Sequence, residues 1–242
     1  MTSQIPAGTL NIDRRFCGPS DSGNGGYTAG LLANMLGGTV EVTLSRPLPL
    51  DRPLRVEGQG DAVQLWDDEV LATAVRSDTD LPGPLSPVSV VEARTAAAQC
   101  AVVLHPDWHP APNCFVCGNS RGDDALRIFP GPLAEGRYAA PWTPAADLAD
   151  AGLVRPEFVW AALDCPSSFL IYDPPGTRPE GFFVLGRMTA RVDGGVVAGE
   201  EHVVQSWLLE RVGRKLQSAS AVQRANGDVV AVARATWISI EG

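Results

Sequence analysis

The stretch Arg155–Tyr172, RPEFVWAALDCPSSFLIY, constrains this chain more than any other. It reads as a long helix whose apolar residues do not keep to one face: Phe158, Val159, Ala161, Ala162, Phe169, Leu170 and Ile171 surround it. A helix that is hydrophobic all round has to be buried all round. The rest of the chain must therefore supply enough sheet to wrap it. In its middle stands one acid, Asp164. Burying a carboxylate costs several kcal/mol, on the order of magnitude known for ions moved out of water, unless the group is paired or used. Asp164 is thus either at the edge of the apolar face, capped by Ser167 or Ser168 or facing a solvent gap, or a functional group.

The wrapping material is legible on both sides of an irregular middle. DSGNGG, residues 21–26, is a turn with Ser22 or Asn24 placed to cap the helix YTAGLLANML that follows. Next comes TVEVTLS, in which Val40, Val42 and Leu44 alternate with polar residues as in a half-buried strand. LRVEGQ, AVQLWDD and EVLATAVRS follow, separated by Gly60-Asp61 and Asp67-Asp68, which predicts antiparallel pairing. Residues 79–123 then break the rhythm: a Pro-rich loop, a helical SVVEARTAAAQCAVV, and the irregular HPDWHPAPNCFVCGNSRGDD. ALRIFPG and GRYAAPW read as a strand pair ahead of the apolar helix. FFVLGRMTARV, EEHVVQSWLLERV, KLQSASAVQRA and DVVAVARATWISI follow it, with turns at Asp193-Gly194, Gly213 and Asn226-Gly227. Helix-then-strands occurs twice, at a spacing of about half the chain. The expected division is a first module over 1–78, a connector over 79–123 and a second module over 124–242, packed as a pseudo-dimer.

This pattern resembles the hot-dog fold, an α+β arrangement in which a curved antiparallel sheet wraps one long helix. The second half is similar to the phenylacetyl-CoA and 4-hydroxybenzoyl-CoA type thioesterases, from WAALDCPSSF through LGRMTARV and ERVGRKLQSASAV to NGDVVAVARATW. The first half is similar through GNGGYTAGLLA, which matches the His-Gly-Gly opening of the family's central helix with Asn24 in place of His. Fused pairs of such halves also occur in longer acyl-CoA thioesterases and in some enoyl-CoA hydratases. The resemblance implies that the helix start of one half faces the helix carboxylate of the other. Carried over, Asn24, Gly25 and Gly26 would meet Asp164, whereas Arg155, Pro156 and Glu157 would meet Ala33, which is no acid. One composite site per chain is expected.

The chemistry implied is hydrolysis of an acyl-CoA-type thioester. Amides at a helix start, those of Gly26 and Tyr27, would polarise the carbonyl. Glycines there would let substrate approach the backbone. Asp164 would act as general base or nucleophile. Ser168, one turn on, would position substrate or water, and Asn24 would hold the thioester or the water. The alternatives are an ordinary turn with an N-cap at Asn24 and a core hydroxyl at Ser168. Non-catalytic acyl or CoA-ester binding on the same fold is the competing function, and an assembly protein using its sheet edges a third.

His105, His109, Cys114 and Cys117 could in principle surround zinc, but the His spacing is not that of a familiar finger, and structural thiols fit better. A redox dithiol at Cys114/Cys117 and a Cys165 nucleophile are weaker readings, the latter because no His stands near it in sequence. No metal or cofactor is expected. There is no G-x-S-x-G elbow, no S-x-x-K and no phosphate loop. A hydratase would want a His beside the helix, a place that His105, His109 and His202 do not occupy in sequence. The formal charge is −9 and Lys215 is the only lysine, which argues against nucleic acid or an anionic membrane as partner. Arg214 and Lys215 are the candidates for CoA phosphates by charge. The N-terminus lacks a signal-peptide core, no run approaches a membrane span, and five Cys suit a reducing compartment. A cytoplasmic protein is expected, with room in the fold for a homodimer.

Overall fold

In a computed structural model, which describes residues 7–83, 86–133 and 136–240, the apolar stretch forms helix α4, Pro156–Ser168, and ends in a 3-10 turn, Phe169–Tyr172. Pro166, in the last turn, has no N–H to give to the preceding turn, and beyond Ser168 the apolar run continues as the 3-10 turn, with the Phe169 amide bonded to the Pro166 carbonyl. Pro156 opens the helix at the first turn, where no donor is needed. α4 is buried along nearly its whole length.

The strands before it are β1 (Gly8–Asn11), β2 (Val40–Leu44), β3 (Pro53–Gln59), β4 (Ala62–Trp66), β5 (Val70–Arg76), β6 (Gly131–Pro132) and β7 (Arg137–Trp142), with a small pair β8 (Ala149–Asp150) and β9 (Leu153–Val154). After it come β10 (Phe182–Val192), β11 (His202–Val212), β12 (Lys215–Arg224) and β13 (Val229–Ile240). Helix α1 is Gly25–Ala33, and the middle segment carries α2 (Val90–Ala97) and the single turn α3 (Ala101–Leu104). One antiparallel sheet runs β1-β3-β4-β5-β2-β10-β13-β12-β11-β7-β6. The order of the first five strands around α1 is the order of β7, β11, β12, β13 and β10 around α4, reflected across the β2–β10 seam, where Met188 stands opposite Val42.

The hairpins fall where turn chemistry puts them. β3–β4 closes at Gly60, β11–β12 at Gly213 and β12–β13 at Asn226-Gly227, and each of these glycines has a positive φ. ALRIFPG departs from the expectation of a strand: only Gly131–Pro132 pairs with β7. The amides of Leu126 and Ile128 instead donate to Phe115 and Val116 carbonyls, so this run is tied to the cysteine-bearing loop. The predicted helix over 89–103 is divided between α2 and α3. Ser89 and Glu92 form a capping box at the start of α2. The segment ahead of it lies on the sheet: Leu81 packs with Trp207 and Val232, and the Val88 amide donates to the Gln223 side-chain oxygen while the Gln223 side-chain amide donates back to the Val88 carbonyl. This cover explains why the first half of β11, His202–Trp207, and most of β12 are buried on both faces instead of alternating.

α4 packs on β10 to β13 and, directly, on α1. The two helices run in opposite directions. Gly26 of α1 lies against Asp164, Gly30 against Glu157 and Trp160, and Asn34 donates to Glu157 Oε2 at 3.0 Å. The contact is possible only without side chains at the two glycines. A Cβ on Gly26 would fall 2.3 Å from Asp164 Cβ, and one on Gly30 2.6 Å from Glu157 Cα. No helix among the described residues is long and apolar enough to cross a membrane.

Candidate active site

Asn24 ends the turn ahead of α1 in extended backbone, and its Oδ1 accepts the Tyr27 amide at 2.8 Å, the N-cap that the sequence suggests. Its Nδ2 donates to Asp164 Oδ2 at 3.2 Å, across the helix pair. The Gly26 amide donates to the same oxygen at 2.8 Å. One carboxylate oxygen is therefore seated on the N-terminus of α1, where the orphan amides and the helix dipole favour negative charge. The other, Oδ1, is buried and has no hydrogen-bond partner among the described residues. Asp164 is 1% exposed, and burial pushes its carboxyl up to about 7, against the opposing pull of the Gly26 amide.

Asp164 stands in the wall of a cavity of about 540 Å³. Most of that wall is apolar, with Leu44, Leu48, Phe169, Phe183, Leu185 and Trp237 in it. Asn24, Gly25, Asp164 and Ser168 also line it, so four of the residues singled out from the sequence share one space. Gly26 and Tyr27 do not border it. The Gly26 amide is taken by Asp164 and its open side is filled by that residue, so the glycine admits a helix and not a ligand. The Tyr27 amide is taken by Asn24, and its ring stacks on Phe16 at 4.3 Å and on Phe158 at 5.5 Å inside an aromatic cluster. The amide at the helix start that takes no hydrogen bond among the described residues is that of Gly25. Ser168 turns its hydroxyl back to the Cys165 carbonyl at 2.7 Å, the intrahelical alternative, while remaining at the cavity edge.

At the opposite end of the helix pair, Glu157 is engaged by Asn34 and stands 3.6 Å from Arg155 Nε. Arg155 in turn lies over the Phe158 ring.

The connector supplies what the sequence reading left outside the site. Cys114 and Cys117 reach the cavity wall beside Cys165, with Cys114 Sγ 3.6 Å from Cys165 Sγ. Hydrogen bonds from its two thiol neighbours hold the Cys114 thiol well below the usual range, and donating those bonds pushes Cys117 and Cys165 up. Cys-x-x-Cys was visible in the sequence; its meeting with α4 was not. His109 also lines the cavity, contrary to its apparent remoteness from the helix. Its Nδ1 accepts the Ala111 amide at 3.0 Å, which leaves the proton on Nε2 to be donated to the Cys117 carbonyl at 2.7 Å. With both nitrogens occupied, His109 holds the loop and offers no base. His105 stacks on Trp108 away from the thiols. A second cavity of about 190 Å³ includes Arg211, Arg214 and Lys215 and shares Phe183 with the main one.

No protein-family model matches the sequence, and no curated protein matches it. Solved structures do match the fold over nearly the whole chain. An acyl-CoA thioesterase II of Mycobacterium marinum has a TM-score of 0.61 at 11% identity, covering 91% of this chain and 90% of that one. A protein assigned as a thioesterase II of Thermobifida fusca gives 0.62 at 12%, covering 99% and 94%. One assigned as a thioesterase of Novosphingobium aromaticivorans gives 0.59 at 14%, covering 97% and 94%. At such identities the likeness is one of fold: a large antiparallel sheet with few helices, shared with proteins named as thioesterases.

Proposed function

We propose that this chain hydrolyses acyl-CoA-type thioesters at one composite site, formed where the start of α1 meets the middle of α4. We read the two halves as hot-dog modules, a reading supported by their identical strand order about α1 and α4. The observation that carries the function is Asp164: a carboxylate buried in the wall of an apolar cavity, fixed through Oδ2 and unpartnered at Oδ1. A structural carboxylate would use both oxygens.

In this proposal the acyl chain occupies the apolar cavity and its carbonyl faces the Gly25 amide. Gly25 replaces Gly26 and Tyr27 as oxyanion donor because it lines the cavity and its amide has no partner among the described residues. Asp164 Oδ1 takes a proton from water as the water oxygen bonds to the carbonyl carbon. The positive end of α1 stabilises the oxyanion. When the C–S bond breaks, the proton on Asp164 passes to the departing CoA thiolate. Direct attack by Oδ1 is the other route; 18O found in Asp164 after a single turnover in 18O water identifies that route, because it arises only when water opens an acyl–aspartyl anhydride at the Asp164 carbon.

A panel of aliphatic and aromatic acyl-CoAs tests the reading. Asp164→Ala, and the near-isosteric Asp164→Asn, should abolish hydrolysis while binding of the ester persists. A wild-type chain that binds these esters and cleaves none would instead be the non-catalytic acyl/CoA-ester-binding protein. That alternative is favoured by Asn24, which is not basic where the related helix start carries His.

A further inference from the structure

The wall of the cavity holds a cluster that the proposed hydrolysis does not use. Cys114 and Cys117, from the connector, and Cys165, from α4, are buried free thiols whose sulfurs all lie within 4.8 Å of one another. A tetrahedral ion with Zn–S bonds of about 2.3 Å sets its sulfurs about 3.8 Å apart; Cys114 and Cys165 are at 3.6 Å. The Cys-x-x-Cys spacing is one that such sites use.

The loop around the first cysteine is built for this. Gly118 donates its amide to the Cys114 carbonyl at 2.8 Å, and a Cβ there would fall 2.4 Å from that oxygen. Only glycine lets the chain fold back over the first cysteine. N–H groups are aimed at the sulfurs: Val116 N stands 3.4 Å from Cys114 Sγ, and Asn24 Nδ2 stands 3.5 Å from Cys165 Sγ and 3.9 Å from Cys114 Sγ. Such donors do little for a neutral thiol and stabilise a thiolate, the form that binds metal. Asp164 Oδ2 lies 3.9 Å from Cys165 Sγ, and Asp164 lines the cavity together with the three cysteines.

We propose that Cys114, Cys117 and Cys165 hold one soft divalent cation of the zinc class, with the fourth coordination position turned toward Asp164 and the cavity. The histidines that the sequence offered are not its ligands; an α4 cysteine takes their place. Each thiol gives its proton to solvent as its sulfur bonds the ion, so loading releases protons. The ion would pin the connector to α4. This inference does not depend on thioester hydrolysis.

The test uses the full chain, purified reduced, stripped with a chelator and titrated anaerobically with Co2+. A sulfur-to-cobalt charge-transfer band with tetrahedral d–d bands should saturate at one equivalent per chain and vanish when Zn2+ is added. Elemental analysis of protein grown with zinc should find about one ion per chain. Cys165→Ser and Cys117→Ser should each weaken zinc binding at least about 100-fold, with the fold checked by circular dichroism, and Cys100→Ser should not. No cobalt band with all thiols reduced would overturn the site, independently of any variant. So would a band unchanged in Cys165→Ser, an equal loss in Cys100→Ser, or a chain that retains no ion and instead forms a Cys114–Cys165 disulfide.

Discussion

Replacing Gly30 with alanine should destabilise the chain, although alanine is the better helix former. In an open helix interior the exchange gains about 1 kcal/mol. Here the new methyl would sit 2.6 Å from Glu157 Cα and 2.9 Å from Trp160 Cβ, where ordinary contact begins at 3.4 Å. A backbone atom cannot rotate away, so α1 and α4 would have to part by roughly 0.8 Å in an interior packed to crystal density. Overpacking of this kind costs about 1–3 kcal/mol or more, and because the neighbour is main chain the upper part of that range applies. The net loss is then about 2 kcal/mol, which for a chain of this length lowers Tm by about 4–8 °C. Urea denaturation followed by tryptophan fluorescence, with thermal melting beside it, reads both numbers. A Gly30→Ala chain that is more stable than wild type would refute the close helix pair, and with it the placement of Gly26 against Asp164.

Asn24→Ala removes both the cap on Tyr27 and the donor to Asp164, and should cost about 1–2 kcal/mol in urea denaturation; Asn24→Ser, which keeps a capping oxygen, should recover part of it. Ser220 donates to the Leu163 carbonyl at 2.7 Å and Ser206 to the Pro166 carbonyl at 2.9 Å, docking α4 on the sheet, so Ser220→Ala and Ser206→Ala should each lose about 1 kcal/mol in the same assay. If the second cavity takes the CoA phosphates, Arg214→Ala and Lys215→Ala should raise KM for acyl-CoA, less so at high salt, and leave KM for a truncated acyl-N-acetylcysteamine thioester unchanged.

Features that depend on near neighbours in the chain could be read from the residues. Val40, Val42 and Leu44 announce β2 by alternation; Asn226-Gly227 announces a hairpin because a tight turn needs positive φ; Asn24 announces a cap because its side chain can reach an amide three residues on. ALRIFPG reads as a strand by composition and is not one, since its amides found partners in the cysteine loop rather than in β7. Gly25, Gly26 and Tyr27 look interchangeable as helix-start amides. Which of them has no partner among the described residues was decided by Asp164 and Asn24, whose side chains reach the Gly26 and Tyr27 amides.

The sequence alone determined that this helix would be buried with one acid in its middle, because its hydrophobicity leaves no polar face for water. It also determined that strands would follow each helix. Only the tertiary structure decided that the acid itself is buried, and what it faces. Gly26 meets Asp164, and Cys114 meets Cys165, across separations of 138 and 51 residues, through contacts set by how α1 and the connector pack on α4. No local propensity carries information about such meetings; they arise when the sheet closes around both helices and leaves the cavity beside them.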